Sequence, residues 1–332
     1  MSKLFGSKQF EFKLNKESIN QYINIGYIMG DSTLFESVNR ILPSRIISID
    51  SNSLSKKEKL YWRWSENRRV KISYDEAVDL VHTKFQNSVD RSIQGKSKIS
   101  LTLSGGLDSR ALLAAVKNSK HKVDICCFTF GEENCEDIKI ASDVATLAGV
   151  KHIKKQLIND NWLSLRKNGL RITDGMENII HMHGLSVVED IISHSEHVLN
   201  GYLGDLVFGG SWLHEGYLGS ENLIEFANKK LGELADKKTL EDSYFEHSST
   251  DPYFIFNRGV RFTSYGSDLT SDKLNIIKPF MDVDLIDLLY SLPDSWRLNG
   301  RIYQDMLIKY YPEYFENIPW QSTGNVLVTE VR

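Results

Sequence analysis

One stretch of this chain, Ser97 to Val116, limits what the protein can fold into. It begins with alternating apolar residues, passes through the turn SGGLDS at 104–109, and continues with small and apolar residues at helical spacing. This order predicts a β-strand, a glycine turn and the start of an α-helix. Such a junction binds anions, because unpaired backbone N–H groups and the positive end of the helix dipole point at the same spot.

The residue types in this turn indicate which anion it binds. Gly105 and Gly106 let the backbone approach a phosphate closely because no Cβ is in the way, and the hydroxyls of Ser104 and Ser109 add donors. The carboxylate of Asp108 would repel a phosphate unless a cation lay between them. Asp108 is therefore a candidate ligand for the Mg²⁺ that accompanies a nucleotide.

The turn has no lysine, so it is not the phosphate loop that ends in Gly-Lys-Ser/Thr. It resembles the SGGxDS loop of the ATP pyrophosphatase superfamily. The resemblance implies that Ser104, Gly105, Gly106 and Ser109 hold the pyrophosphate released when ATP adenylates a substrate, with Asp108 on the metal. An ordinary glycine-rich connection between a strand and a helix is the alternative.

Strand and helix patterns alternate around this turn. They predict a helix over 76–93, a strand over 123–130 ending at Gly131, a helix over 138–148 and a strand over 151–157. Such alternation predicts an α/β fold, a parallel sheet flanked by helices, with a helical C-terminal part from about residue 221. Ligands bind at the carboxyl ends of such strands, which places Phe128 to Gly131 beside the turn.

The resemblance also implies an adenine nucleotide alpha hydrolase-like fold and puts the adenine of ATP at Phe128 and Gly131. Packing in the core is the more ordinary role for the rings of Phe128 and Phe130, and we expect it for those side chains.

A second strand end carries another acidic turn, VLNGYLGDLVFGG at 198–210. It resembles the SGEGADELFGGY segment of asparagine synthetases, which implies that Asp205 joins Asp108 in holding Mg²⁺. Two carboxylates from separate strand ends suit a cation that carries pyrophosphate. A role for Asp205 as a helix cap is the alternative.

This segment departs from the family at two positions. Leu206 and Tyr202 both stand where asparagine synthetases have glutamate. A tyrosine at 202 resembles β-lactam synthetases, in which a tyrosine–glutamate pair acts as general base. A tyrosine can relay a proton only if a neighbouring base holds it, so Tyr202 is either a catalyst or a packed residue. The candidate bases are Asp236, Glu241 and Glu177.

A third departure concerns a fixed cation. Asparagine synthetases have a lysine in a K-x-x-L-R motif that neutralises the charge developing on the acyl-adenylate and pyrophosphate. Gln304 occupies that position here, and Arg301 or Lys309 is the possible substitute. We therefore take Tyr202 and Arg301 as the catalytic candidates.

Two further sites have weaker signals. His181 and His183 form a His-x-His pair without a third ligand nearby, so ordinary surface or hydrogen-bonded histidines are expected there. Asp174 and Gly175 resemble a loop that lines the acyl-substrate pocket of the family.

The resemblance to the synthetase domain of asparagine synthetases runs from about residue 74 to 324. We expect residues 1–75 to be a remnant or linker like the end of a glutaminase domain, 76–324 a ligase domain, and 325–332 a tail. The glutaminase domain normally opens with a cysteine nucleophile, whereas position 2 is Ser2. Nitrogen would then come from free ammonia, a separate glutaminase or an amine on the substrate.

Composition excludes several classes of partner. The net charge of −4 and pI of about 6.2 do not favour nucleic-acid binding, and the basic cluster at 151–155 predicts a solvated face. The three cysteines include no C-x-x-C pair, so neither a zinc site nor a disulfide framework is indicated. Without a long apolar run or a signal segment, a cytoplasmic protein that does not bind membranes is expected.

These patterns and the resemblance together predict an ATP-dependent amide-forming ligase that uses Mg²⁺. It would adenylate a small-molecule or peptide carboxylate and transfer the acyl group to ammonia or an amine, possibly with a separate glutaminase or partner subunit. Two alternatives remain open: a catalytically weakened nucleotide-binding subunit of a biosynthetic complex, and another ATP pyrophosphatase such as a tRNA-modifying enzyme.

Overall fold

The computed structural model describes residues 12–64, 70–158, 163–173, 175–247, 249–268 and 273–328. Ser2 and Asp174 lie outside these ranges. The strands described are β1 Arg45–Ile49, β2 Lys56–Leu60, β3 Lys98–Thr102, β4 Asp124–Gly131, β5 Lys151–Gln156, β6 His197–Leu199 and β7 Asn275–Ile277. β1 and β2 pair as an antiparallel hairpin, and the other five form a parallel sheet in the order β5-β4-β3-β6-β7.

The α-helices described are α1 Lys16–Ile25, α2 Tyr74–Ile93, α3 Leu107–Asn118, α4 Glu136–Ala148, α5 Ser164–Ile172, α6 Val188–His194, α7 Gly204–Val207, α8 Leu223–Leu231, α9 Lys237–Leu240, α10 Asp251–Phe254, α11 Ser264–Asp268, α12 Val283–Ser291, α13 Asp294–Arg297, α14 Arg301–Tyr310 and α15 Pro312–Phe315. A π-helix, Ile255–Thr263, joins α10 to α11. Short 3₁₀ turns lie at Ile179–His181, His183–Val187, Glu215–Tyr217, Ser220–Asn222, Gly232–Leu234, Pro279–Met281 and Leu298–Gly300. Within the described ranges, no helix has both the length and the apolar character needed to cross a bilayer.

Local sequence explains where the helices around the sheet begin and end. α2 opens with a capping box, in which the Ser73 hydroxyl accepts from the Glu76 N–H and the Glu76 carboxylate accepts from the Ser73 N–H. α4 ends at Gly149, whose φ of 62° suits glycine. The predicted alternation of strands and helices from α2 to β5 is confirmed.

Both faces of the parallel sheet are covered, as parallel sheets require. Helices α2, α3 and α4 lie on one face, where Leu101 and Cys127 are fully buried. The chain over 183–194 covers the other face, where Cys126 and Phe128 are fully buried. The predicted α/β architecture with a helical C-terminal part is confirmed by this arrangement.

The basic cluster at 151–155 is not simply a solvated face. His152 on β5 is half-buried, and its Nε2 lies 2.8 Å from the Thr129 hydroxyl oxygen on β4. Burial lowers the pKa of His152 to about 4, so the ring is neutral at pH 7. The prediction was wrong for this residue because its ring packs against Thr129 of the neighbouring strand, whereas Lys151 and Lys154 are exposed.

The strand order reverses between β3 and β6. From β3 the chain proceeds to β4 and β5 on one side of the sheet, then returns to add β6 and β7 on the other. Such a reversal opens a crevice at the carboxyl ends of the two central strands, where α/β proteins bind ligands. The turns at 104–109 and 200–205 follow β3 and β6 and therefore meet at this crevice.

Candidate functional site

The turn at 104–109 is braced by its own hydroxyl groups. The Ser104 N–H donates to the Ser109 hydroxyl oxygen at 2.9 Å, the two serine hydroxyls lie 3.0 Å apart, and the Gly106 N–H donates to the Ser104 hydroxyl oxygen at 3.3 Å. Gly106 is the N-cap of α3 and supplies no side-chain cap. The first-turn N–H groups of α3 thus have no side-chain cap, which is the arrangement that binds anions.

Gly105 contacts two segments that no sequence pattern connected with it, the start of α4 and the chain near Gln321. Its N–H donates to the Asp137 carboxylate on α4 at 2.8 Å, and its carbonyl accepts from the Gln321 N–H at 3.2 Å. An added Cβ would lie 2.8 Å from the Gln321 Cβ, so only glycine fits. Asp137 was missed because its only signal, an acidic residue in the first turn of a helix, is common.

The structure brings Asp108 and Asp205 together. The Asp205 N–H donates to one oxygen of the Asp108 carboxylate at 3.0 Å, and the Tyr303 hydroxyl donates to the other at 3.0 Å. Burial, together with the nearby Asp205 charge, raises the pKa of Asp108 to about 8. Desolvation by the surrounding protein also raises the pKa of Asp205, although the Asp205 side chain is exposed to solvent in the crevice.

The turn after β6 reaches Asp108 because its glycines allow it. A Cβ at position 204 would lie 2.4 Å from the Asp108 Cγ, which rules out any larger residue there without a shift. Leu203 has a φ of 70°, an uncommon left-handed value for a branched side chain, and it precedes the short helix α7. Leu203 is the N-cap of α7, so the alternative role of Asp205 as a helix cap is not what the structure shows.

Tyr202 lines a cavity of about 330 Å³ at the carboxyl ends of the central strands. Thr102 of β3, Phe130 of β4 and Asn200 after β6 line the same cavity. His181 and His183 line it from the side of the 3₁₀ turns, and burial lowers the pKa of both. Within the described ranges no group of three or more metal-ligating side chains occurs.

The residues that the resemblance places at the adenine differ in whether they line this cavity. Phe128 is fully buried against α6 and does not line the cavity. Gly131 does not line it either, and a Cβ there would lie 2.7 Å from the Cys135 Sγ. Phe130 lines it and is only partly buried, because it shares a strand face with Phe128 but lies two residues nearer the strand end.

The three candidate bases for Tyr202 occupy different settings. Asp236 caps α9, accepting from the Thr239 N–H at 2.9 Å, and Glu241 is exposed. Glu177 is fully buried, and burial raises its pKa to about 7. One of its oxygens accepts from the Asn178 N–H at 2.7 Å, and the other is buried without a hydrogen bond.

The cations predicted on α14 do not reach the acidic pair. The guanidinium of Arg301 lies 4.4 Å from the centre of the Tyr74 ring, in a separate groove of about 790 Å³ that Gln304 and Lys309 also line. The Gln304 amide donates to the Asn299 carbonyl at 2.9 Å. The catalytic assignment of Arg301 is not supported, since α14 turns Tyr303 toward Asp108 instead.

Two other cations lie beside the crevice. The Lys278 ammonium is 4.6 Å from the centre of the Tyr202 ring, just after β7. The charge of Arg258, on the π-helix, opposes the burial that raises the pKa of Asp205. Both residues follow β6 by many positions in the sequence, so the spacing of the two motifs did not identify them as residues of this site.

Comparison with known proteins now agrees with this geometry. Residues 80–252, a little over half of the chain, match the family model described as asparagine synthase. The chain belongs to the asparagine synthase family. The predicted resemblance to the synthetase region of that family of ATP-dependent ligases is thus confirmed, as is the predicted fold class.

Two curated relatives are asparagine synthetases described as glutamine-hydrolyzing. Asparagine synthetase 1 of Bacillus subtilis is 21% identical over 61% of this chain and 32% of its own length. A putative asparagine synthetase 1 of Methanocaldococcus jannaschii is 22% identical over 68% of this chain and 38% of its own length. The chain therefore matches about a third of the length of these relatives.

Similar solved structures include the U34-tRNA thiolase NcsA of Methanococcus maripaludis, with a TM-score of 0.30 and 15% identity over 72% of this chain and 76% of that one. NMN synthetase of Francisella tularensis has a TM-score of 0.29 and 10% identity over 70% of this chain and 97% of that one. Likenesses this weak carry no conclusion about function.

Proposed function

We propose that this protein is an ATP-dependent amide-forming ligase that adenylates a carboxylate and transfers the acyl group to ammonia or an amine. The observation that supports this most is the crevice between β3 and β6. There an uncapped helix N-terminus lies beside two carboxylates, with the Asp205 N–H 3.0 Å from the Asp108 carboxylate. An anion site beside an acidic pair suits a metal-bound polyphosphate.

The proposal places ATP in this crevice with its nucleoside in the cavity and its phosphates at α3. The cavity lined by Thr102, Phe130 and Asn200 offers a largely apolar wall with a few polar groups, as nucleoside pockets do. The N–H groups at the start of α3 then face the phosphates. Binding of the phosphates would displace the Asp137 carboxylate from the Gly105 N–H, because both are anions that use the same donor.

The residues present fit a magnesium ion. Two carboxylates this close, with raised pKa values, repel each other unless a cation lies between them. Mg²⁺ is commonly bound by one or two carboxylates together with phosphate oxygens, so Asp108 and Asp205 would hold it. When bound, the ion would offset negative charge on the pyrophosphate leaving group.

The reaction needs activation because a free carboxylate is a poor acyl donor. An oxygen of the substrate carboxylate attacks the α-phosphorus of ATP, and the bond from that phosphorus to pyrophosphate breaks. The amine or ammonia then attacks the acyl carbon, and AMP leaves with the oxygen. N–H groups of α3 would stabilise the departing pyrophosphate, and Tyr202 would take a proton from the amine, with Glu177 as its candidate base.

ATP–pyrophosphate exchange with a panel of carboxylic acids tests this function. We expect exchange that depends on one acid class and on magnesium, and that Asp108→Asn abolishes. Exchange with aspartate would support asparagine formation, whereas exchange with a peptide or a sugar acid would support a different amide product. A panel in which no acid supports exchange would overturn the ligase proposal.

A second candidate is a catalytically weakened subunit that binds nucleotide. The observation that favours it is that α14 presents Tyr303 to Asp108, while Gln304 stands where the family has a lysine and bonds the Asn299 carbonyl instead. Under this proposal ATP binds normally but no acid supports exchange, and a partner such as a separate glutaminase or ligase subunit restores it.

A further inference from the structure

The proposed reaction gathers negative charge that the described side chains must balance. Magnesium-bound ATP retains about two negative charges at neutral pH, and Asp108 with Asp205 adds two more. A positive charge fixed in place would therefore stabilise both bound ATP and departing pyrophosphate. Arg301 and Lys309 do not supply it, because Arg301 stacks on Tyr74 and Lys309 pairs with Asp79.

Lys278 is held beside the crevice by the sheet itself. The Asn200 N–H donates to the Ile277 carbonyl at 2.9 Å, which joins the end of β7 to the turn that leads to Asp205. Lys278 is the next residue after β7, and its ammonium lies 4.6 Å from the centre of the Tyr202 ring. The half-buried Lys278 side chain therefore lies in cation–π contact with Tyr202.

Arg258 lies on a different element, the π-helix, which packs against the turn that carries Tyr202. A Cβ on its neighbour Gly259 would lie 3.1 Å from a methyl of Leu203 and 3.7 Å from the Tyr202 hydroxyl oxygen, so the π-helix packs closely on the turn. The Arg258 guanidinium lies 5.5 Å from the centre of a Trp212 ring, and Trp212 follows the Asp205 turn by seven residues. Stretches of π-helix occur often at functional sites because they redirect side chains.

We propose that Arg258 and Lys278, on two elements that pack against the turn carrying Tyr202, supply the fixed positive charge that other family members take from a lysine in the region of α14. This inference rests on the proposed function and assigns the role to two elements outside α14. It also explains why Gln304 and Tyr303 are tolerated there, since the charge that the site needs comes from the π-helix and the end of β7.

The test uses the intact protein and magnesium pyrophosphate as the probe, because the acid substrate is unidentified. Calorimetric titration of Arg258→Met and Lys278→Met should give dissociation constants for magnesium pyrophosphate at least about tenfold weaker than the unaltered protein. Arg258→Lys and Lys278→Arg should recover part of the loss, which a merely structural role would not predict. Raising the salt concentration should weaken binding less in the Met variants.

Two matched controls remove the same charge from similar ring contacts elsewhere. The Lys229 ammonium lies 4.8 Å from the centre of the Tyr217 ring, and the Arg40 guanidinium lies 5.6 Å from the centre of the Tyr265 ring. Lys229→Met and Arg40→Met should leave pyrophosphate affinity within about twofold. If Arg258→Met does not fold, as judged by circular dichroism, Arg258→Gln and Lys278→Met carry the test.

The outcomes separate this inference from the ligase proposal. If the unaltered protein binds neither magnesium ATP nor magnesium pyrophosphate, the proposed function fails before any variant is compared. If it binds both, and the Arg258 and Lys278 variants bind equally well, the assignment is overturned while the function stands. Loss of binding in Arg301→Met alone would overturn the assignment in favour of α14.

Discussion

Asp108 combines a role in binding with a cost in stability. Its carboxylate lies beside Asp205 and is largely surrounded by protein, so its negative charge disfavours the folded state when no cation is present. An asparagine could keep both hydrogen bonds, accepting from the Asp205 N–H and donating to the Tyr303 oxygen.

We expect Asp108→Asn to raise the free energy of unfolding of the metal-free protein by roughly 1–3 kcal/mol and to abolish magnesium ATP binding. Urea unfolding with a chelator measures the first effect, and calorimetry measures the second. Asp205→Asn is the matched variant, and it should also raise the free energy of unfolding of the metal-free protein. A less stable Asp108→Asn variant would contradict the account of repulsion.

Glu177 makes a second prediction, about pH. Burial raises its pKa to about 7, so between about pH 4.3 and 7 the folded state binds more protons at this residue than the unfolded state. The free energy of unfolding therefore falls as pH rises through this window. In Glu177→Gln that fall should be smaller by about 2–3 kcal/mol.

Urea unfolding at pH 5 and pH 8 measures this difference for both proteins. Glu177→Gln places a buried amide donor where the carboxylate oxygen had no hydrogen bond, and this cost is the same at both pH values. Comparing how much the free energy of unfolding changes between pH 5 and pH 8 in each protein cancels this constant cost. Parallel stability–pH curves for the two proteins would show that Glu177 is not the group responsible.

At the scale of elements, the crevice depends on how closely the turn after β6 approaches α3. Position 204 contacts Asp108 directly, and a Cβ there would lie 2.4 Å from the Asp108 Cγ. The approach is what brings the Asp205 N–H within 3.0 Å of the Asp108 carboxylate. Sequence patterns identified the two turns separately, but the contact depends on the pairing of β3 with β6.

Gly204→Ala should therefore destabilise the fold by about 1–3 kcal/mol and weaken magnesium ATP binding at least about tenfold, because Asp108 must move. Thermal unfolding and calorimetry measure the two effects. Gly216→Ala is the control, since nothing lies within 4 Å of its added Cβ, and it should be nearly neutral. Equal ATP affinity in both variants would mean that the close approach is not needed.

At the scale of the whole molecule, the end of the described chain is tied to the phosphate turn. Arg110, fully buried in α3, donates to the Gly105 carbonyl at 3.0 Å and the Pro319 carbonyl at 2.8 Å. It also donates to the Tyr314 and Ile318 carbonyls, at 3.2 and 3.0 Å. Burial lowers its pKa to about 10, which still leaves it charged at pH 7.

Arg110→Met would leave four carbonyls without this donor, so we expect a loss of stability of about 3 kcal/mol or more. Hydrogen exchange should increase at 104–109 and 318–324 together, because one side chain connects them. Lys117→Met, at the other end of α3, is the control that should leave exchange in both segments unchanged. An increase confined to one segment would contradict the coupling.

The parallel sheet and the 104–109 turn were predictable because each depends on local patterns. Alternating apolar residues, a glycine pair and helical spacing describe a strand, a turn and a helix within twenty or so residues. Parallel strands place their carboxyl ends at one edge, so Asp108 and Asp205 could be expected to meet. The division into segments 1–75, 76–324 and 325–332 stays a prediction.

What the tertiary structure alone decided is which side chains face the crevice. Successive helical residues point about 100° apart, so the orientation of α14 about its axis decides that Tyr303 rather than Arg301 or Gln304 faces Asp108. Asp137, Arg258 and Lys278 come from three elements whose approach is set by core packing rather than by spacing along the chain. Local sequence therefore determined the backbone that can bind a phosphate, whereas long-range packing chose the charges around it.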